Sequence, residues 1–174
     1  LLMNGNVFLY YGEELGMKGS GKDENKRAPM YWNKDGNAEG MCKGPADMDD
    51  FRMKFDSLEE QQEDPDSIYN YVKQVIRVRN QNPVIARGTT AYLEQYSGEQ
   101  CFALTRSDEN SSLLMLGNTS AETATVDLSG LTIGKTAAEE LVLLGELYTG
   151  EETAERTGAE ITLPAWSILI LGEE

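Results

Sequence analysis

The stretch Ile68-Tyr69-Asn70-Tyr71-Val72-Lys73-Gln74-Val75-Ile76-Arg77-Val78-Arg79-Asn80-Gln81-Asn82-Pro83, followed by Thr90-Ala91-Tyr92-Leu93-Glu94-Gln95-Tyr96, is where the chain changes its period. Before Pro83, apolar residues recur at Ile68, Tyr71, Val72, Val75 and Ile76, the spacing of one helix face, and Arg79 closes the stripe with a cation near the C-terminal end. Asp64 suits the N-cap and Pro65 the first helical position, so a helix is predicted over residues 65–81. Asn82-Pro83 stops it, because the residue before a proline avoids the α region. After Pro83 the period becomes two. Strands are predicted at residues 90–96, 100–107, 112–118, 123–128, 139–144, 160–163 and 166–171, separated by polar punctuation such as Ser97-Gly98, Ser129-Gly130 and Thr149-Gly150. Short strands at this spacing describe an antiparallel sandwich or barrel.

Upstream, Asn6-Val7-Phe8-Leu9-Tyr10-Tyr11 is an unalternating apolar run between Gly5 and Gly12. It reads as a strand buried on both faces, as in a parallel sheet under helices. Leu1-Leu2-Met3 reads as the tail of a helix that began earlier. Residues 12–62 are loop-rich, with a capping-box pattern at Ser57-Leu58-Glu59-Glu60 that can start a short helical turn. The expected fold class is therefore mainly β: an α/β remnant over residues 1–86, then an all-β unit over residues 87–174. The apolar run at 7–11 is expected to pack on Ile68, Val72, Val75 and Ile76, and its other, exposed side to associate with a second copy.

The charge balance excludes several function classes. Fifteen Lys and Arg stand against 30 Asp and Glu, a net charge of −15, in a chain of 174 residues. Nucleic acid and anionic membrane surfaces both need a basic face. With no histidine in the chain, His-based triads and most zinc sites are excluded. Cys42 and Cys101 lie far apart, in no metal-ligand spacing, and are expected to be free thiols. Asp47, Asp49 and Asp50 lack the glycine and closing glutamate of a calcium loop and read as a solvated acidic stretch. No cofactor and no metal are expected.

Two clusters carry candidate chemistry. Glu13 and Glu14 directly follow the apolar run, which in a (β/α)8 barrel is the active-site face. A pair of carboxylates there suggests glycoside hydrolysis, but adjacent residues at a strand end point to opposite sides, so both cannot face one bond. Arg27-Ala28-Pro29-Met30-Tyr31-Trp32 joins a guanidinium to aromatic rings, a combination suited to sugar faces and hydroxyls. The plainer alternative buries Trp32 as a loop anchor and pairs Arg27 with an acid such as Glu13. Tyr96, Tyr148 and Trp166 on the β unit suit either a sugar platform or a core, and aromatics on strands favour the core.

Four blocks resemble the α-amylase superfamily, glycoside hydrolase family thirteen. Residues 6–17 resemble its last barrel strand. The Arg27–Trp32 block resembles the following loop, often Arg-Thr-Pro-Met-Gln-Trp, with Tyr31 here in place of the usual Gln. Asp64-Pro65-Asp66-Ser67-Ile68-Tyr69-Asn70-Tyr71 and Ile76-Arg77-Val78-Arg79-Asn80-Gln81-Asn82-Pro83 resemble its eighth barrel helix. Leu163-Pro164-Ala165-Trp166-Ser167-Ile168-Leu169-Ile170-Leu171 resembles the closing strand of its C-terminal β-sandwich. The resemblance implies the C-terminal segment of a retaining α-glycoside hydrolase (α-amylase or α-glucosidase) acting on starch or maltooligosaccharides. It also implies that the catalytic carboxylates and the Asn-His-Asp signature lie upstream of Leu1, so this chain is expected to be inactive alone. Arg27, Trp32 and Glu13 are the expected substrate-binding residues, with no catalytic residue in the chain. The expected partners are an α-glucan and the missing N-terminal barrel portion, and an extracellular or cell-surface place is favoured over the cytoplasm. The alternatives are a non-catalytic carbohydrate-binding module and a β-sandwich interaction domain.

Overall fold

The structure is a computed structural model that describes residues 1–148 and 150–173. The turn expected at Thr149-Gly150 therefore has Thr149 outside the described residues. The chain forms two compact units, residues 7–73 and residues 1–6 with 74–174.

The second unit is an antiparallel β structure. Its main sheet has the order β1-β2-β3-β10-β7, formed by β1 (Thr89–Tyr92), β2 (Cys101–Ser107), β3 (Ser112–Asn118), β10 (Ile168–Gly172) and β7 (Val142–Leu147). A three-stranded sheet pairs β4 (Ala124–Asp127), β9 (Glu160–Leu163) and β8 (Glu155–Thr157), and β5 (Thr132–Ile133) with β6 (Thr136–Ala137) makes a small hairpin. Every pairing is antiparallel. Ala103, Leu114, Leu116, Leu169 and Leu171 from one face of the main sheet pack with Val126, Leu128, Ile161 and Leu163 from the smaller sheet. That is the core of the expected β-sandwich, two inner faces interdigitating.

The main sheet is covered on its other face too, and β3 is buried along six of its seven residues. This explains why Leu113-Leu114-Met115-Leu116 does not alternate: a strand covered on both sides has no polar face. Val75 and Val78 from α2 (Ile68–Gln81) and Val84 and Ile85 from α3 (Val84–Arg87) are buried. The approach is close: a Cβ placed on Gly145 of β7 would lie 2.8 Å from a Val78 methyl. Residues 74–86 thus belong to the same compact unit as the sheet, and the other unit ends at residue 73. The helix starts at Ile68, not Pro65, and its buried face is Val75 and Val78, while Ile76 keeps 37% of its surface exposed.

Two small pairings had no sequence signature. β8 is exposed at all three residues, so it carries no apolar alternation. It forms because Thr157 and Glu160 pair across the two-residue turn Gly158-Ala159, with Gly158 at φ 64°. The β5–β6 turn begins likewise with Gly134 at φ 60°. Two-residue hairpin loops need positive φ at their first central position, which glycine adopts without strain. The strand expected at 139–144 runs instead over Val142–Leu147, with a 3-10 turn at Ala138–Glu140 ahead of it. Leu141-Val142-Leu143-Leu144 is unbroken, and an unbroken run does not fix register.

The first unit is loop-rich, with α1 (Leu58–Glu63), the first turns of α2, and 3-10 turns at Glu13–Leu15 and Asn25–Arg27. The expected strand at residues 6–11 is not formed: residues 6–10 carry no ladder and Tyr11 already belongs to a turn. A strand exists through its partners, and no other segment of this unit is a strand that could pair with it. Its side chains stay in solvent, from 37% exposure at Val7 to 92% at Phe8, so the burial expected for them does not occur.

Buried polar side chains hold the loops. Gln61, 3% exposed, donates through Nε2 to Leu15 O (3.0 Å) and Asp56 O (2.7 Å) and accepts from Tyr69 N through Oε1 (3.0 Å). The capping box at Ser57 is present, with Glu60 N donating to Ser57 Oγ and Ser57 N donating to Glu60 Oε2. The two remaining free amides of the first turn of α1, Leu58 N and Glu59 N, donate to Tyr31 O and Trp32 O at 2.9 and 3.0 Å. The start of this short helix is thereby satisfied by backbone from the Arg27–Trp32 block.

Candidate functional site

A cavity of about 640 Å³ in the first unit is lined by Tyr10, Tyr11, Glu13, Lys18, Asn25 and Lys26, with Met17 and small residues between them. The absence of a ladder at 6–11 lets both tyrosines turn to one side, their ring centroids 4.8 Å apart at 39°. Their hydroxyls reach toward the Asn25–Arg27 turn, where Tyr11 Oη donates to Ala28 O at 3.0 Å and Tyr10 Oη to Lys26 O at 3.4 Å. Desolvation pushes the Tyr11 hydroxyl above its ordinary pKa, the neighbouring Tyr10 hydroxyl adds to this, and the Arg27 charge pulls it partly back.

The wall opposite is fixed by Asn25, which is 4% exposed. Its Nδ2 donates to Ser20 O and Asp49 Oδ2, each at 2.8 Å, and its Oδ1 accepts from Asp49 N at 2.9 Å. Lys22 Nζ pairs with the other Asp49 oxygen at 2.8 Å. The hydrogen bond from Lys22, then that from Asn25, holds the Asp49 carboxyl below the usual carboxylate range. Among the described residues no group of three or more His, Cys, Asp or Glu can hold a metal ion.

Glu13 and Glu14 do not converge. Glu13 Oε2 accepts from Tyr10 N (3.2 Å) and Glu14 Oε2 from Gly12 N (2.8 Å), each carboxylate folded back on its own turn. Arg27 is 58% exposed at its side chain, donates from Nε to Asp23 O (3.3 Å), and pairs with Glu24 at 3.6 Å rather than with Glu13. Trp32 is 44% exposed, so it is not the buried anchor of the plainer alternative. Of the three expected site residues only Glu13 lines the cavity. Tyr10, Tyr11 and Asn25, which the sequence reading did not single out as site residues, do more to shape it. The doublet Tyr10-Tyr11 before a glycine was the available signal.

On the β unit, Trp166 is 56% exposed and is the one non-glycine residue at positive φ (52°) among those described. This departs from the core reading for that residue. Its position is set by Asn118, 2% exposed, whose Nδ2 donates to Glu122 O, Leu163 O and Pro164 O, and by Trp166 N donating to Ser120 O. Tyr96 packs against the core and Tyr148 is half-buried. Cys42 and Cys101 are free thiols. Among the described residues no helix is long and apolar enough to cross a membrane.

Comparison with known proteins adds the following. The family model for the α-amylase catalytic domain matches residues 1–88. Alpha-amylase 3 of Dictyoglomus thermophilum is 32% identical over 88 residues, 51% of this chain and 18% of the relative. The cyclomaltodextrinase of Geobacillus thermopakistaniensis is 26% identical over 175 residues, 100% of this chain and 24% of its own length. Among solved structures, Eubacterium rectale Amy13B superposes with a TM-score of 0.90 at 39% identity, covering 99% of this chain and 32% of that one. The chain thus spans about a third or less of each of these proteins.

Proposed function

Since the chain belongs to the α-amylase family, glycoside hydrolase family thirteen, we propose that it is the C-terminal segment of an enzyme cleaving α-glucans such as starch and maltooligosaccharides. Residues 1–86 are read as the last strand, loop and helix of a (β/α)8 barrel and residues 87–174 as its accessory β-sandwich. The observation that carries this reading is the similarity of nearly the whole chain, sandwich included, to one third of Amy13B. On this reading the chain supports the barrel and is not catalytic by itself. Retaining glycosidases need two carboxyl groups about 5 Å apart across the scissile bond, and Glu13 and Glu14 are each turned onto their own backbone. Purified chain is expected to release no reducing sugar from soluble starch, and the full-length protein to release it readily. Reproducible turnover by the chain alone would refute the assignment.

Within the full-length enzyme, Arg27, Trp32 and Glu13 are proposed to face substrate. Arg27 has the freedom for this, being held by one long ion pair and one backbone carbonyl. Arg27→Ala is expected to lower kcat/KM on maltooligosaccharides by about tenfold, the scale of one charge-assisted hydrogen bond, while the melting temperature stays within a degree or so of the wild type. Wild-type kinetics in that variant would remove Arg27 from the site.

A second reading, a carbohydrate-binding role for the β unit, is favoured by the outward, backbone-constrained ring of Trp166. Electrophoresis in starch-containing gels separates the two. Retardation of the chain that Trp166→Ala abolishes supports glucan binding by the β unit, and unchanged mobility in starch leaves it a structural accessory.

A further inference from the structure

Asn25 opens the 3-10 turn that ends at Arg27 and is the buried residue of that turn. Its Nδ2 donates to Ser20 O and to Asp49 Oδ2, each at 2.8 Å, and its Oδ1 takes the Asp49 N–H at 2.9 Å. The amide therefore grips both the backbone and the carboxylate of one residue, and Lys22 Nζ holds the other oxygen of that carboxylate at 2.8 Å. The chain before the turn lies close against it. A Cβ on Gly19 would come within 3.2 Å of Asn25 O, and one on Gly21 within 3.4 Å of Asn25 Nδ2. A buried, fully bonded amide between two loops is a stiff joint, because opening it leaves polar groups without partners.

Arg27 is held differently. Its Nε donates to Asp23 O at 3.3 Å and its Nη2 lies 3.6 Å from Glu24, so both partners stand just ahead of it in the chain. The side chain is 58% exposed, and its direction comes from the backbone that carries it. That backbone is tied at the head of the turn by Asn25. The block beyond it is tied at Ala28 O by Tyr11 Oη, and at Tyr31 O and Trp32 O by the first amides of α1. We infer that Asn25 and Asp49 are positioning residues: by locking the Asn25–Arg27 turn they aim the Arg27 guanidinium at the substrate. They act through Arg27 rather than on the sugar. A guanidinium aimed beforehand loses less freedom on binding and meets its partners in register, so the gain falls on substrate binding.

The inference rests on the proposed reading of Arg27 as a substrate-facing residue, and the test separates the two. It is a double-mutant cycle in the full-length enzyme, with maltoheptaose as substrate. Asn25→Ala is expected to raise KM by up to about tenfold, bounded by the loss of Arg27 itself, with kcat little changed, the pattern of lost binding. In an Arg27→Ala background the same substitution is expected to do nothing further, since the group it aims is gone. Asn25→Asp sets a carboxylate against Asp49 and should resemble the alanine variant. Adding Asp49→Asn returns a donor across the pair and should recover part of the KM. A wild-type KM in Asn25→Ala, beside a weakened Arg27→Ala enzyme, overturns the inference and leaves the reading of Arg27 standing. An equal rise in KM with and without Arg27 also overturns it, because Asn25 then acts elsewhere. Wild-type kinetics in Arg27→Ala defeats the reading of Arg27, and the inference falls with it. Where Asn25→Ala yields no folded enzyme, Asp49→Ala, which keeps the Asp49 N–H for Asn25 Oδ1, takes its place under the same criteria.

Discussion

Asp49 shows how much a single residue organises in the loop unit. It joins Lys22 to the buried Asn25 amide, and so ties the 3-10 turn at Asn25–Arg27 to a loop more than twenty residues on. Because these contacts favour the ionised form, the folded pKa lies below the unfolded value. The sign follows: the stabilisation is present above the unfolded aspartate value, near pH 4, and is lost as pH falls through the folded pKa. An NMR titration of the Asp49 carboxyl should give a midpoint below that of a free aspartate, moving back toward it in Asn25→Ala. An unshifted wild-type midpoint would contradict the geometry. Read from sequence alone, Asp49 belonged to a solvated acidic stretch, and Asn25, Gln61, Asn118 and Arg106 drew no notice as buried groups. A buried polar residue has no local pattern: Gln61 bonds to Leu15, 46 residues away, and loop composition does not encode such pairings.

Elements were legible in proportion to their periodicity. The stripe from Ile68 to Arg79, the alternation of β9 and the short apolar runs of β3 and β10 between polar turns carry their own evidence. β8 and the β5–β6 hairpin do not, since turn geometry and neighbours make them. The run at residues 6–11 has the composition of a buried strand without the company that makes one. Composition sets what a segment can become, while its ladder depends on chain elsewhere. The capping box at Ser57 was read correctly because its four-residue signature is local. Ser57→Ala removes the acceptor for Glu60 N and one donor to Glu60 Oε2. It is expected to cost about 1 kcal/mol, the usual value of an N-cap. Urea unfolding followed by far-UV circular dichroism measures it, and Ser57→Asp, which restores an acceptor, should recover most of the loss. No change in midpoint for the alanine variant would show that Tyr31 O and Trp32 O suffice.

At the scale of the whole molecule, a net charge of −15 keeps copies apart, and an exposed apolar run draws them together. Phe8 at 92% exposure, flanked by Val7, Leu9, Tyr10 and Tyr11, is a patch of the kind that seeks a partner. We expect the 174-residue chain to self-associate, more strongly as salt screens its charge. Multi-angle light scattering across concentration should show this, and Phe8→Asp should return the chain to monomer. A wild-type chain that stays monomeric at high concentration and high salt would end the idea. Truncation to residue 87 is the poorer control, because it removes Val75, Val78, Val84 and Ile85 from the sheet they cover.

The Tyr31 carbonyl, not its ring, meets the free amide at the start of α1. A backbone oxygen is the same in every amino acid, so the structural duty at this position is indifferent to the side chain. Selection on what the loop contacts can therefore exchange Tyr for Gln, or for other polar or aromatic residues, without disturbing the helix behind it. That separation leaves position 31 free to diverge between enzymes of different appetite while the frame around it is inherited intact.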